Sequence, residues 1–412
     1  MTGFFPRGSA ASPPPLWAAC APVVLLLGSL AGVIVFKGSD AISDYSHLAL
    51  LAATVAALGL SAATGGLSRR GLSVGFRRSA RQILPAVPML VFIAMVSATW
   101  MLSGVVPMLI DFGLRFLDPT YFLVTACAMC AAISVLTGSS WSTIATIGVA
   151  FMGIGTVMGF HPGWVAGAII SGAYFGDKVS PLSDTTVVAS SACGVDLFRH
   201  IRYLMLTSAP AMLVALTCFL AVGFISGNAE TPDSPAIAKA LAGQFNLTPW
   251  VLVIPVITIA MIVLRVPTLL TLFVSSMLGL GGVFLFQPQI VAMLGGASPA
   301  MIWDMLWSAV EFNTGIAAFD ELVSTGGITG MLPTIALVLC AMMFGTALIA
   351  TGMLAKITSS AMKGLRGRFP IVASTVGAGL FINSCTADQY LSLIIGGNMF
   401  RTVYRRAGLE PR

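Results

Sequence analysis

Asp177, Lys178 and Asp184 stand together within Ser171–Thr186, S-G-A-Y-F-G-D-K-V-S-P-L-S-D-T-T, at the end of a stretch that has no other charge. From Pro119 to Gly176 there is no Asp, Glu, Lys or Arg. Two carboxylates, with hydroxyls at Ser180, Ser183, Thr185 and Thr186, supply the oxygen ligands that a small hard cation prefers. A carboxyl taken out of water, or set beside a second carboxylate, also holds its proton more tightly. A metal cation and a proton would then compete for one group. Asp184 is read as the competed carboxylate and Asp177 as the partner that ligates or gates. Lys178 either neutralises one of them or reaches a lipid headgroup, and the sequence leaves both open. The blander alternative places Asp177 and Lys178 at a helix end facing headgroups.

Such a cluster needs a helix that opens. Gly176 and Pro181 bracket the charges, and proline removes a backbone donor and clashes with the preceding turn. An opened helix is tolerated at membrane depth only where protein or water satisfies its backbone. The rest of the chain requires that depth. Its 412 residues are 57% hydrophobic and 9% charged, against roughly 25% charged in a soluble domain. Ionisable groups inside a bilayer cost roughly 2.5–3.5 kcal/mol each and mark function. Apolar blocks fall at 16–36, 47–64, 83–110, 119–137, 143–160, 162–195, 203–226, 249–264, 267–294, 329–354, 369–385 and 389–400. A helix needs about 20 residues to span, so some blocks are half-spanning. The fold class is an all-α polytopic membrane protein of about nine to eleven membrane segments, with discontinuous or re-entrant helices. The chain is read as one integral membrane domain, 1–412, lying multi-pass in the cytoplasmic membrane. Its partners are the lipid bilayer and, in one reading, a second copy in a homodimer.

Composition excludes a soluble enzyme or a nucleic-acid binder. No G-x-x-x-x-G-K-[ST] occurs, and no G-x-G-x-x-G follows a strand, so no nucleotide-driven engine and no cofactor is expected. The net charge of +6 comes from basic residues clustered in loops, where they set orientation. Arg69, Arg70, Arg77, Arg78 and Arg81 share one such loop, and Lys356, Lys363, Arg366 and Arg368 another. Both are assigned to the cytoplasm, and the loop at 227–239 to the outside. Leu16–Phe36 is read as a retained helix rather than a signal peptide. The seven cysteines read as small apolar packers, including the C-x-x-C pair Cys127 and Cys130. His47, His161 and His200 read as helix-end or loop residues. The pairs Gly28/Gly32, Gly155/Gly159, Gly163/Gly167 and Gly172/Gly176 have the spacing that lets helices approach closely.

A faint inverted repeat is legible. The small-polar break Gly138-Ser139-Ser140-Trp141 follows the block at Ile83 as Ser384-Cys385-Thr386 follows the block at Thr329. The two blocks run in opposite senses by charge bias, as inverted-topology transporter repeats do. The first repeat covers about 83–226, and the second, incomplete one about 329–412.

The stretch F-G-D-K-V-S-P-L-S-D-T-T resembles the signature of the NhaC-type sodium/proton antiporter family. Thr137-Gly138-Ser139-Ser140-Trp141 with Gly148-Val149-Ala150, Gly326-Gly327-Ile328, and Thr386-Ala387-Asp388-Gln389-Tyr390-Leu391-Ser392 with Met399-Phe400 and Tyr404 resemble further segments of that family. The resemblance covers roughly residues 83 to 412. It implies an all-helical secondary transporter with inverted repeats that exchanges Na⁺ for H⁺ by alternating access. Some relatives exchange small carboxylates or amino acids instead, which is the alternative cargo. Carried over by position, the polar site comprises Asp177, Ser180, Ser183, Asp184, Thr185, Asn383, Thr386 and Asp388. Lys178 is a possible charge partner, and Na⁺ sits at Asp177 and Asp184 as cargo rather than as a structural metal. Relatives carry asparagine at the place of Val187, and they continue beyond this C-terminus with a T-S-P-L-[IV]-P-W-N-T segment. A truncated, non-transporting remnant is therefore a third reading.

Overall fold

The computed structural model describes residues 14–38, 42–64, 73, 76, 77, 86–226, 234–312, 320, 323–361, 367–386, 389, 392, 393, 396, 397, 400, 403, 404 and 407–409. Among these the regular structure is helical, save one antiparallel bridge between Val310 and Thr325. In chain order the helices are α1 (Leu16–Lys37), α2 (Ile42–Ala63), α3 (Ala86–Leu102), α4 (Val105–Phe116), α5 (Pro119–Thr137) and α6 (Ser140–Val157). They continue with α7 (Pro162–Val179), α8 (Asp184–Cys193), α9 (Leu197–Ser226), α10 (Ser234–Gln244), α11 (Val253–Val263) and α12 (Thr268–Phe286). Last come α13 (Pro288–Met293), α14 (Pro299–Trp307), α15 (Gly327–Ala350), α16 (Met353–Ala361) and α17 (Arg368–Thr386). Within α6, Ile144–Gly148 form a π turn.

Seven described helices are long and apolar enough to cross a bilayer, and eight spans result if the bent pair α3–α4 counts as one. The chain is an all-α multi-pass membrane protein. The membrane segments read from the sequence include shorter pieces. Block 249–264 becomes a short apolar helix, Pro249–Val263, and block 162–195 divides into α7 and α8.

Local sequence sets the helix ends around the charged stretch. Asp118 caps α5 by accepting from Thr120 N at 2.8 Å, with Pro119 at the first helical position. Gly138 ends α5 with a left-handed φ of 66°. One residue later Ser139 caps α6, accepting from Ser142 N at 3.2 Å. His161 caps α7, accepting at Nδ1 from Gly163 N at 3.1 Å, with Pro162 next.

Two compact units emerge. The first comprises the described residues up to Val87, 188–196, and those from Leu332 onward. Its core is Ala19, Leu26, Ala53, Ala57, Phe344, Leu348, Met353 and Ile382. Small residues at helical spacing on α2, Ala49, Ala53, Ala57 and Ser61, form that helix's buried face.

The second unit comprises Pro88–Val187 and Leu197–Met331. It buries Trp100, Phe122, Phe151, Phe160, Leu272 and Val283 in one core. Its α5 and α7 touch backbone to backbone. A Cβ at Gly172 would stand 2.1 Å from Cys127 O, and one at Gly176 would stand 2.3 Å from Ala131 O. Gly28 and Gly32 share that spacing in α1, yet a Cβ there would meet nothing within 4 Å. The α3–α4 pair bends by 67° at Gly104, whose φ is 83°. Fully buried Gln287 closes that bend. Its Nε2 donates to Ser103 O and to Asn246 O, both at 3.1 Å, and its Oε1 accepts from Asn246 N at 2.9 Å. The backbone interrupted at the bend is satisfied by protein here.

Candidate functional site

The site lies in the second unit, where two interruptions meet. The α5–α6 interruption is Gly138-Ser139, and the α7–α8 interruption is Ser180–Ser183. A Cβ on Gly138 would stand 2.6 Å from the Leu182 carbonyl carbon and 2.7 Å from its oxygen. Only glycine, with a positive φ and no side chain, lets the two turns press together there.

Asp177, in the last turn of α7, is 6% exposed. Its Oδ2 accepts from Ser140 Oγ at 2.8 Å, and its Oδ1 is buried without a partner. No ion pair neutralises it among the described residues. The helix ends act on it in opposite senses. The C-terminal end of α7 disfavours an anion, and the N-terminal turn of α6, which presents Ser140, favours one.

Hydroxyls line the crossing. Ser134 Oγ donates to Ala173 O at 2.5 Å, and Ser180 Oγ donates to Val135 O at 2.8 Å while accepting from Leu182 N at 3.2 Å. Ser183 Oγ and Thr185 Oγ1 pair at 2.9 Å. Thr186 Oγ1 donates to Lys178 O at 2.9 Å. Ser134, Ser140, Ser180, Ser183 and Thr186 are all buried. These bonds stitch the last carbonyls of α7 to the first turn of α8 and tie both to α5.

Of the residues picked from the sequence, Asp177, Ser180, Ser183 and Thr185 thus come together, joined by Thr186. Asp184 and Lys178 are exposed. Asp184 opens α8 directly after Ser183, a helix start that suits a carboxylate. Asn383 is exposed on α17, in the first unit, and Thr386 ends that helix. Asp388 lies outside the described residues. From the same C-terminal segment, Ser392 Oγ donates to Gly379 O at 3.0 Å within the first unit. Ser134 and Ser140 are site residues that the sequence reading did not select. The small-polar run Gly138-Ser139-Ser140 was their signal, and pairing across 37 residues hid its target. His161 is a helix cap, and His200 is buried near the start of α9. Cys127 and Cys130 are buried in α5. Among the described residues no group of His, Cys, Asp and Glu is arranged to hold a resident metal.

The sequence profile described as the Na⁺/H⁺ antiporter family matches residues 16–207 and 172–412. Na(+)/H(+) antiporter NhaC of Alkalihalophilus pseudofirmus is 35% identical over 323 residues, 78% of this chain and 68% of that protein. The protein of the same name in Bacillus subtilis is 31% identical over 348 residues, 83% of this chain and 74% of its own length. The malate-2H(+)/Na(+)-lactate antiporter of Bacillus subtilis is 33% identical over 331 residues, 80% and 69% respectively. The NhaC resemblance read over roughly residues 83 to 412 agrees with these matches, and the chain belongs to the Na⁺/H⁺ antiporter family.

Proposed function

We propose that this chain exchanges Na⁺ for H⁺ across the cytoplasmic membrane by alternating access, with the two ions competing at Asp177. The observation that carries the reading is a buried carboxylate with one unpartnered oxygen, held where two helix interruptions cross. An ionised carboxylate without a counter-ion is costly in an apolar surrounding. Such a carboxylate recruits either a proton or a cation, and each excludes the other. Binding Na⁺ from one side and releasing it on protonation from the other is exchange.

The sequence reading takes Asp184 as the competed group. Burial of Asp177 and exposure of Asp184 support exchanging those roles, with Asp184 as an approach ligand at the head of α8. Asn383, Thr386 and Asp388, which the family resemblance carries over, are proposed as a polar set of the second half of the chain. A small carboxylate or amino acid is the second reading. It is supported by the malate and lactate in one relative's name and by exposed Lys178 beside the site.

The experiment is exchange in proteoliposomes followed by a trapped pH dye. Wild-type protein is expected to move protons on a Na⁺ pulse, and Asp177→Asn to insert but stay silent. Normal Na⁺-driven proton movement by Asp177→Asn would overturn the reading. Proton movement driven by malate, lactate or arginine but not by Na⁺ alone would install the second.

A further inference from the structure

Most hydroxyls at the crossing are engaged with backbone or with each other. Ser134 donates to Ala173 O, Ser180 to Val135 O and Thr186 to Lys178 O, while Ser183 pairs with Thr185. Ser139 is also occupied, as the cap of α6, accepting from Ser142 N and from Ser142 Oγ at 3.1 Å. Ser140 differs: its hydroxyl donates to the carboxylate itself. It is 3% exposed, so water does not substitute for it. Its place is fixed from both sides. Gly138 presses on the Leu182 backbone two residues before it, and Gly176 presses on Ala131 one residue before Asp177.

We infer that Ser140 is a positioning residue: its hydroxyl holds Asp177 Oδ2 in place and leaves Oδ1 alone to meet Na⁺ or H⁺. This rests on the proposed exchange at Asp177. A hydroxyl donating to a carboxylate stabilises the charged form and works against protonation. Few other charges surround the pair. α5 and α6 carry no Asp, Glu, Lys, Arg or His, and the titratable side chains of α5 are Tyr121 and the buried Cys127 and Cys130. α7 adds Tyr174 and exposed Lys178, and α8 adds exposed Asp184. α9 brings Arg199, Arg202, Tyr203 and His200, the last within electrostatic reach of Lys178.

The test is the pH profile of exchange by full-length Ser140→Ala in proteoliposomes. Loss of a hydrogen bond to a charged acceptor corresponds to about a ten- to hundredfold gain in proton affinity. The activation curve should therefore move about one to two units alkaline. Na⁺ half-saturation should rise at neutral pH and return to the wild-type value at high pH. Ser140→Thr, which keeps the hydroxyl, should restore the original curve. A purely structural role would lower turnover at every pH and leave the curve in place, and that result overturns the inference. If Ser140→Ala does not insert, Ser140→Cys serves, because its thiol is a weaker donor. It should shift the curve the same way by less, and an unmoved curve again overturns the inference. Asp177→Asn in parallel separates the two claims. Exchange by that variant sinks the proposed function, whereas a silent Asp177→Asn beside an unmoved Ser140→Ala curve sinks only the role of Ser140.

Discussion

Replacing Gly176 by alanine tests how tightly packing is joined to chemistry. An ideal Cβ at that position would stand 2.3 Å from Ala131 O, 2.7 Å from Ser134 Cβ and 2.8 Å from Val135 N. All three belong to the backbone of α5 or to the stem of a short side chain, so none can swing aside. Ordinary contact lies near ~3.5 Å, and α7 must therefore retreat from α5 by about 1 Å. Overpacking of this kind costs ~1–3 kcal/mol. Asp177 is the next residue, and its 2.8 Å bond from Ser140 has little slack. Stretched by about 1 Å, it passes out of hydrogen-bonding range. Losing a bond to a charged group costs ~1.5–3 kcal/mol, so exchange at neutral pH should fall ~10- to 100-fold and recover at alkaline pH, as for Ser140→Ala. Gly167→Ala is the matched control on the same helix. Its Cβ would meet only Phe219 Cε1 at 3.9 Å, and removing a glycine from a helix interior gains ~0.5–1 kcal/mol. Heat-induced loss of the monodisperse peak in detergent should move oppositely for the two variants, and Na⁺-driven proton movement in liposomes should fall in Gly176→Ala alone. Equal melting of Gly176→Ala and wild type, or an equal fall in both variants, would refute the reasoning.

Asp184→Asn should keep exchange, with Na⁺ half-saturation raised at most about fivefold, as for an exposed charge. Silence as complete as that of Asp177→Asn would return Asp184 to the competed role. Gln287→Leu leaves Ser103 O and both backbone groups of exposed Asn246 without their partner, at ~1–3 kcal/mol for the buried Ser103 carbonyl. The variant should lose its folded peak in detergent far below the wild-type temperature, and melting within a few degrees of it would show that water replaces the amide.

The charged stretch was legible because ionisable groups inside an apolar run have few purposes. Gly176 and Pro181 announced the opening of the helix, which falls at Ser180–Ser183, between α7 and α8. Which carboxylate is buried was not legible. Asp177 and Asp184 have similar local surroundings in sequence, and their fates diverge only because one closes a helix against α5 and α6 while the other opens a helix. Glycine spacing likewise marks helices able to approach without naming a partner. Gly172 and Gly176 meet carbonyls of α5, whereas Gly28 and Gly32 meet nothing. An apolar block reports composition, so the sequence did not tell which segments cross in one piece and which break, as 162–195 does into α7 and α8.

The π turn at Ile144–Gly148 sets the azimuth at which Ser140 leaves its helix. A π turn accommodates one residue more than regular α-helix, and each residue of an α-helix advances about 100° around the axis. A homologue one residue shorter between 144 and 148 would carry the serine a quarter-turn or more away from the carboxylate, even with every motif letter intact. Insertions and deletions in that five-residue window are thus a genealogical marker: lineages differing there should hold their acidic group by some other donor.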